Sequence, residues 1–375
     1  MRKYLIITIC AMLSSCSVKN SDKELAQECE TGVVMVLNRY YYQIQISDGN
    51  FLYFTGFTDE GDFKDLTMEK EEIIKSPAVI SGTGFFMNST GAILTNRHVV
   101  RPQIDERIVK QNYRKLINNI KNLYSYLQYK LSEEMDSLEN QRKVCSLKFF
   151  FGDDNYMDQI QLNAIQTRQN EISSSYSEVM GAIAELNTID LNNVEISSVC
   201  EIGIAYNDTY ISTVNDAVDK YPCVVTKISE NADVDLARIQ LKDKKTPQGR
   251  HVFRLYEDRE KLWDLKDKII HFFAIDDSKG ILELNDKVYM IGFNAGPMLG
   301  NTKEGLKAQF NSGTVTQQPD GERVLYSIPV LQGASGSPVL DEAGNLVAVN
   351  FAKFGAGDNF SFGIPANKIK AFLNQ

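Results

Sequence analysis

Two hydrophobic rhythms alternate along this chain. From Val33 the apolar residues fall in short β-branched and aromatic runs: Val33–Leu37, Tyr40–Ile46 and, after a Ser-Asp-Gly-Asn turn, Phe51–Phe54. Ala78–Ile80, Gly84–Met87 and Ala92–Thr95 continue the pattern, with a turn at Asn88–Gly91. Runs of this kind broken by Gly/Asn turns predict strands and hairpins. The rhythm then changes. Ile104, Ile108, Tyr113, Leu116, Ile120, Leu123, Leu127, Leu131, Met135 and Leu138 are spaced by three, four or five residues. Met157, Ile160, Ile165, Ile172, Tyr176, Val179, Ile183 and Leu186 repeat that spacing, with one step of seven, two helical turns, between Ile165 and Ile172. Steps of this size put apolar side chains on one face of a helix. The pattern predicts two long antiparallel helices, inserted at about 103–190, with a short apolar strand or turn at Cys145–Gly152 between them.

Strand-like sequence returns at Glu201–Ile211, read as a hairpin with an Asn-Asp turn. Pro222–Leu241 adds two strands and Gly249–Asp277 is mixed. Asp286–Phe293, Gln309–Val315, Val324–Ile328, Pro338–Leu340 and Leu346–Phe354 are short strands, and Pro365–Gln375 reads as a closing helix. Many short strands with turns between them indicate a barrel or sandwich. The expected organisation is a signal segment at 1–15, a tether at 16–28, an N-terminal β-barrel at 29–245 carrying the helical insertion, and a C-terminal barrel with its closing helix at 246–375.

Composition changes this picture little. The chain has 375 residues, 43% hydrophobic and 24% charged, ample for a globular core. A net charge of −9 argues against nucleic acid as the main partner. The N-terminus says more. Met1-Arg2-Lys3 is basic, Tyr4–Leu13 is almost wholly apolar, and Leu13-Ser14-Ser15-Cys16 follows. This is the layout of a secretory signal, too short for the roughly 20 residues a spanning helix needs. Cys16 after Leu-Ser-Ser resembles the lipidated first residue of a bacterial lipoprotein; the alternative is an ordinary signal peptide that contains a cysteine. Cys29, Cys145, Cys200 and Cys223 then remain. In an exported chain they permit two disulfides, with Cys145–Cys200 the favoured pair, or four buried free thiols. No C-x-x-C spacing suggests a zinc or redox site. No metal or organic cofactor is implied.

Three distant segments carry candidate chemistry. Thr95-Asn96-Arg97-His98-Val99-Val100 offers a histidine, Asp233-Val234-Asp235-Leu236-Ala237 an aspartate, and Gly333-Ala334-Ser335-Gly336-Ser337-Pro338 a serine in a glycine-flanked turn. A serine hydroxyl needs a base within hydrogen-bond reach and donors for the oxyanion. Histidine titrates near neutral pH, and a buried carboxylate can hold its ring in the useful tautomer. Gly333 and Ser335 would supply the oxyanion-hole amides. Ser337 competes with Ser335, but stands before Pro338 and outside the paired glycines. Asp233 competes with Asp235, but only Asp235 is flanked by apolar residues. His251 and His271 read as structural.

The order His, Asp, Ser and the flanking motifs resemble trypsin-like peptidases of the HtrA (DegP-like) and glutamyl-endopeptidase type. The matching stretches are Gly82-Thr83-Gly84-Phe85-Phe86 through Val100, Asp235-Leu236-Ala237, Val288-Tyr289-Met290-Ile291-Gly292, Gly333–Leu340 with Gly344–Val349, and Phe362-Gly363-Ile364-Pro365. The resemblance covers about 29–100 and 195–375. It implies a mainly β, chymotrypsin-like double β-barrel with the helical hairpin inserted in the first barrel. It also implies peptide-bond hydrolysis through an acyl-enzyme. Ala334 replaces the family's usual Asn, the insertion is longer than its usual connection, and no PDZ domain is expected. By the same resemblance Val330, Leu331, Asn350, Phe351 and Ala352 would line the substrate pocket. No acidic residue there would hold Arg or Lys, so a small or apolar side chain before the cut is expected.

The leading expectation is therefore a serine endopeptidase of a bacterial cell envelope, anchored to the membrane through an N-terminal lipid and acting on protein or peptide substrates. A catalytically silent barrel that binds partners through its helical arm, and an esterase on the same scaffold, are the alternatives. The arm itself could form an oligomer or partner contact, or its two helices could only bury each other.

Overall fold

The computed structural model describes residues 21–47, 49–152, 156–191, 193–231, 233–255, 282–353 and 361–374. The chain runs α1 (Asp22–Cys29), β1 (Val33–Ser47), β2 (Asn50–Phe54), β3 (Gly56–Phe57), β4 (Phe63–Lys64), α2 (Lys70–Lys75), β5 (Ala78–Phe86) and β6 (Ala92–Thr95). Then come α3 (Arg97–Val100), α4 (Glu106–Phe150), α5 (Tyr156–Thr188), β7 (Ile196–Tyr206), α6 (Val214–Lys220), β8 (Pro222–Ile228) and β9 (Ala237–Leu241). After the undescribed 256–281 follow β10 (Lys287–Gly292), α7 (Pro297–Gly300), β11 (Asn301–Thr302), β12 (Gly305–Leu306) and β13 (Gln309–Thr314). The chain ends with β14 (Val324–Tyr326), β15 (Pro338–Leu340), β16 (Leu346–Lys353), β17 (Ser361–Pro365) and α8 (Ala366–Asn374).

One sheet has the order β2-β1-β5-β6-β9-β8-β7, and β1 also pairs with β7, closing the ring. The other has the order β13-β10-β15-β16-β17-β14 and curls partway round. The fold is mainly β, with the chymotrypsin-like pair of barrels and the helical insertion that the sequence predicts. Two compact units make up the chain: Met1–Tyr41 with Ile74–Gln103 and Ser198–Gln375, and Tyr42–Ile73 with Ile104–Ser197.

The first unit explains why its strands read as unbroken apolar runs. In β1, Val34 and Val36 point into the core of the closed ring, while Val33, Met35 and Leu37 join a second core. In β10, Val288 and Met290 fill the curled sheet, while Tyr289 and Ile291 join the same second core. Successive side chains alternate in direction along a strand. A strand with apolar cores on both faces therefore has no polar alternate. The shared core also holds Phe85, Phe253, Phe293 and Leu340, and it packs the two sheets together.

Residues 22–28, expected in the tether, instead form α1. Ser21 and Glu24 make a capping box, and Leu25 and Cys29, four apart on one face, are buried in the shared core. Asp22 accepts hydrogen bonds from Tyr289 Oη at 2.6 Å and Lys287 Nζ at 2.9 Å, fixing α1 to β10. Residues 1–20, including Cys16, lie outside the described residues. The hairpin expected at Glu201–Ile211 is not formed. β7 ends at Tyr206, Asp208 takes a left-handed turn (φ 64°), and the chain bonds to Leu306 from Asp208 N and Thr209 O. A Thr213–Asp216 capping box then starts α6.

In the second unit α4 and α5 form the predicted antiparallel pair, but α4 continues through Cys145 to Phe150, so no strand separates them. The buried seam is narrower than the sequence pattern suggests. Val109, Tyr113, Ile117 and Cys145 are buried on α4, whereas Ile108, Leu123 and Leu127 are exposed. On α5 the buried residues Ile165, Ile172 and Val179 are seven apart, the repeat of a coiled-coil seam. Two helices can bury only such a seam, so the flanking apolar positions stay wet. Gln128 on the seam donates to Tyr176 Oη at 3.1 Å. The expected Cys145–Cys200 disulfide is not formed and both are free thiols. Cys145 is turned into its helix seam. Burial raises the pKa of Cys200, whose sulfur is hydrogen-bonded with Asn38 and Ser198.

Candidate active site

The histidine segment is built by the end of β6. Asn96 starts the one-turn helix α3 from an extended backbone, and Val99 and Val100 bury its apolar side in the closed ring. That burial turns His98 outward, with its side chain 34% exposed.

Asp235 arrives from the loop between β8 and β9 and meets His98 twice. Its Oδ2 lies 2.5 Å from His98 Nδ1, and its Oδ1 accepts the His98 backbone N–H at 3.0 Å. The Asp235 carbonyl accepts from Asn96 Nδ2 at 2.8 Å and from Arg97 N at 3.2 Å. The Arg97 guanidinium also donates to the carbonyls of Ser229 and Asn231, both at 3.3 Å. The aspartate loop is thus tied to the histidine helix by main chain, side chain and carboxylate. Asp233 stays exposed, its N–H donating to Asn231 Oδ1.

The serine turn leads into β15. Gly333 has φ 104° and Gly336 φ 88°, values that favour glycine. Space is equally restrictive. A Cβ on Gly333 would lie 2.4 Å from Phe293 O, and one on Gly336 would lie 2.1 Å from Thr83 O and 3.2 Å from Asn96 N. The last figure places the serine turn against the backbone that carries His98. Ser335 is half-buried, whereas Ser337 is fully buried and its Oγ has no hydrogen-bond partner. Of the two serines, only Ser335 can meet a ligand. Its hydroxyl makes no hydrogen bond to the His98 ring. Such contacts often tighten only when substrate binds. The Gly333 and Ser335 N–H groups donate to no acceptor among the described residues, while the Gly336 and Ser337 N–H groups are engaged by Asn350 O at 2.8 Å and Ala334 O at 3.0 Å.

The expected pocket residues divide. Leu331 is exposed and Phe351 half-buried, but Val330 is buried in the curled sheet. Asn350 is 2% exposed and spent on structure. Its Nδ2 donates to Ala334 O at 3.0 Å and its Oδ1 accepts from Tyr326 Oη at 2.7 Å. Burial raises the Tyr326 hydroxyl well above its ordinary pKa, so it remains a donor. Ala352 is paired in register with Phe362 on β17. His251 pairs with Glu28 at 3.2 Å and packs edge-on to Phe253, a structural setting. His271 lies outside the described residues. Among the described residues no group of His, Cys, Asp and Glu could hold a metal ion.

The sequence marks Thr83 only by its place in Gly82-Thr83-Gly84. It is fully buried and bonded to the serine turn. A small hydroxyl residue between two glycines is the only signal that could have pointed to it.

Residues 205–349 match the family model of the trypsin-like peptidase domain. That match supports a serine protease. It takes in Asp235 and Ser335 and begins after His98. Among solved structures, the crystal structure of the serine endoprotease from Yersinia pestis matches at 12% identity and a TM-score of 0.41, covering 96% of this chain and 67% of that one. No curated protein matches the chain.

Proposed function

We propose that this protein is an exported, membrane-anchored serine endopeptidase that uses Ser335, His98 and Asp235. The observation that carries the reading is the double contact of Asp235 with His98 beside a glycine-framed serine turn whose Gly333 and Ser335 amides are unengaged.

The chemistry follows from those atoms. With Nδ1–H held by Asp235, the basic nitrogen of neutral His98 is Nε2. Nε2 takes the Ser335 proton as Oγ attacks the scissile carbonyl, and Asp235 stabilises the imidazolium that forms. The negative oxygen of the tetrahedral intermediate is received by the Gly333 and Ser335 N–H groups. His98 then protonates the leaving amine, and water repeats the sequence on the acyl-enzyme. Leu331 and Phe351 favour a small or apolar side chain before the cut. Cys16, at the end of the signal segment, would carry the lipid that holds the enzyme on the bacterial envelope.

A fluorophosphonate probe tests the nucleophile. Labelling of the wild type that disappears in Ser335→Ala and His98→Ala supports the reading. A folded wild type that takes no label sinks it in favour of a silent binding barrel. Incorporation of labelled palmitate that is lost in Cys16→Ala tests the anchor.

A further inference from the structure

Thr83 sits where three parts of the site meet, and all of its polar groups are engaged. Its Oγ1 accepts the Phe293 N–H at 3.0 Å and donates to Gly333 O at 2.8 Å. Its N–H donates to Ser335 O at 2.8 Å, and its carbonyl accepts from Thr95 Oγ1 at 2.7 Å. Thr83 lies on β5 of the closed ring, Gly333 and Ser335 form the serine turn, Phe293 directly follows β10 of the curled sheet, and Thr95 leads to His98. The residue is 0% exposed.

We propose that the Thr83 side chain is a positioning residue that latches the serine turn in the state competent to receive an oxyanion. This rests on the proposed peptidase reading. The backbone contact to Ser335 O is open to any residue. The hydroxyl contacts are not, because they require one oxygen that accepts from Phe293 and donates to Gly333 together. A hydroxyl does both; a methyl group does neither. The consequence is geometric. Gly333 lies in a region of φ with few steric limits, so its flanking peptides can swing. Pinning its carbonyl onto Thr83 fixes the 333–334 peptide, and the Thr83 N–H bond to Ser335 O fixes the 335–336 peptide. The 334–335 peptide, which carries the Ser335 N–H, is then held from both sides, and so is the direction of that proposed oxyanion donor. Preorganised donors accelerate the reaction because they need no rearrangement as charge develops.

The test compares Thr83→Val, nearly isosteric and without the hydroxyl, with Thr83→Ser, which keeps it. Peptide hydrolysis and the fluorophosphonate labelling rate are measured for both, with thermal melts as the check on folding. Thr83→Val is expected to lower kcat about 10- to 100-fold with KM changed less than about twofold, since removing an oxyanion donor outright costs about 10²–10³-fold. Thr83→Ser is expected to recover most of that loss. A Thr83→Val protein that hydrolyses and labels at the wild-type rate overturns the latch. So does a Thr83→Ser protein as slow as Thr83→Val, which would show that packing of the methyl group mattered and the hydroxyl did not. A wild type that takes no label overturns the peptidase reading as well, which separates that failure from failure of the latch alone.

Discussion

Asp235 holds His98 by two different groups at once: one carboxylate oxygen faces the ring at 2.5 Å and the other accepts the residue's own backbone N–H at 3.0 Å. The contacts can be separated. In Asp235→Asn, Oδ1 can still accept the backbone N–H, so α3 keeps its place. The amide NH₂ then faces Nδ1 and makes that nitrogen an acceptor. The proton moves to Nε2, where it blocks transfer from Ser335. On the proposed mechanism kcat falls on the order of 10³- to 10⁴-fold, with little change in melting temperature. A loss of folding comparable to the loss of activity would show that Asp235 only ties the loop.

Ser335 and Ser337 are two residues apart and face opposite environments. The Ser337 hydroxyl is fully buried without a partner, so it contributes an unsatisfied polar atom and no chemistry. Ser337→Ala is expected to leave labelling intact and to be neutral or stabilising, within about 1 kcal/mol. Ser335→Ala is expected to abolish labelling with the fold unchanged. Labelling that survives in Ser335→Ala and vanishes in Ser337→Ala would reverse the assignment.

Asn350 lies on the strand expected to line the substrate pocket, yet its side chain bridges Tyr326 Oη and Ala334 O. Its substitution should therefore act on stability first. Asn350→Ala takes one hydrogen bond from Tyr326 Oη, which keeps only a 3.4 Å contact with Phe362 O, and one from Ala334 O, which still accepts the Ser337 N–H, a combined cost of about 1–3 kcal/mol. Chemical denaturation should show a loss of that order, and the lost support for Ala334 should lower kcat. A variant of wild-type stability with altered preference for the residue before the cut would return Asn350 to the pocket.

The sequence made legible whatever rests on a local pattern. The runs at Val33–Leu37 and Val288–Ile291 announce strands, and the glycines around Ser335 announce a tight turn. The readings of Ser335 over Ser337 and of Asp235 over Asp233 rest on the neighbouring residues alone; in the structure Ser335 is half-buried and Ser337 buried, and Asp235 meets His98 while Asp233 is exposed. What depends on a distant partner was not legible. Thr83 gains its contacts from residues 250 and 210 positions away. Asn350 reads as polar lining until Tyr326 and Ala334 are seen to use both ends of its amide. Leu123 and Leu127 fit a helical face, but they are exposed beside the narrow seam between the two helices. The Asn-Asp pair at 207–208 is a good turn signal. It forms no hairpin because Asp208 and Thr209 find their partner in Leu306.

Cys223 gives a pH test independent of catalysis. It is 8% exposed on β8, and burial, assisted by the nearby Asp243 carboxylate, pushes its thiol up to about 12. Only the thiolate reacts with alkylating reagents. At pH 8 the native thiol is ionised to about one part in 10⁴, so iodoacetamide should modify Cys223 far more slowly in the native protein than in urea. The same shift sets a sign for stability. An unfolded cysteine titrates at about 8.5. Below that pH both states keep the proton and Cys223 makes no pH-dependent contribution. Above it the unfolded chain releases the proton while the native chain retains it, so stability falls as pH rises toward the native value. Between pH 8 and pH 10 the wild type should lose about 2 kcal/mol more than Cys223→Ala, read from urea midpoints at the two pH values. Equal losses in the two proteins, or rapid native alkylation at pH 8, would mean that water reaches β8 at Cys223.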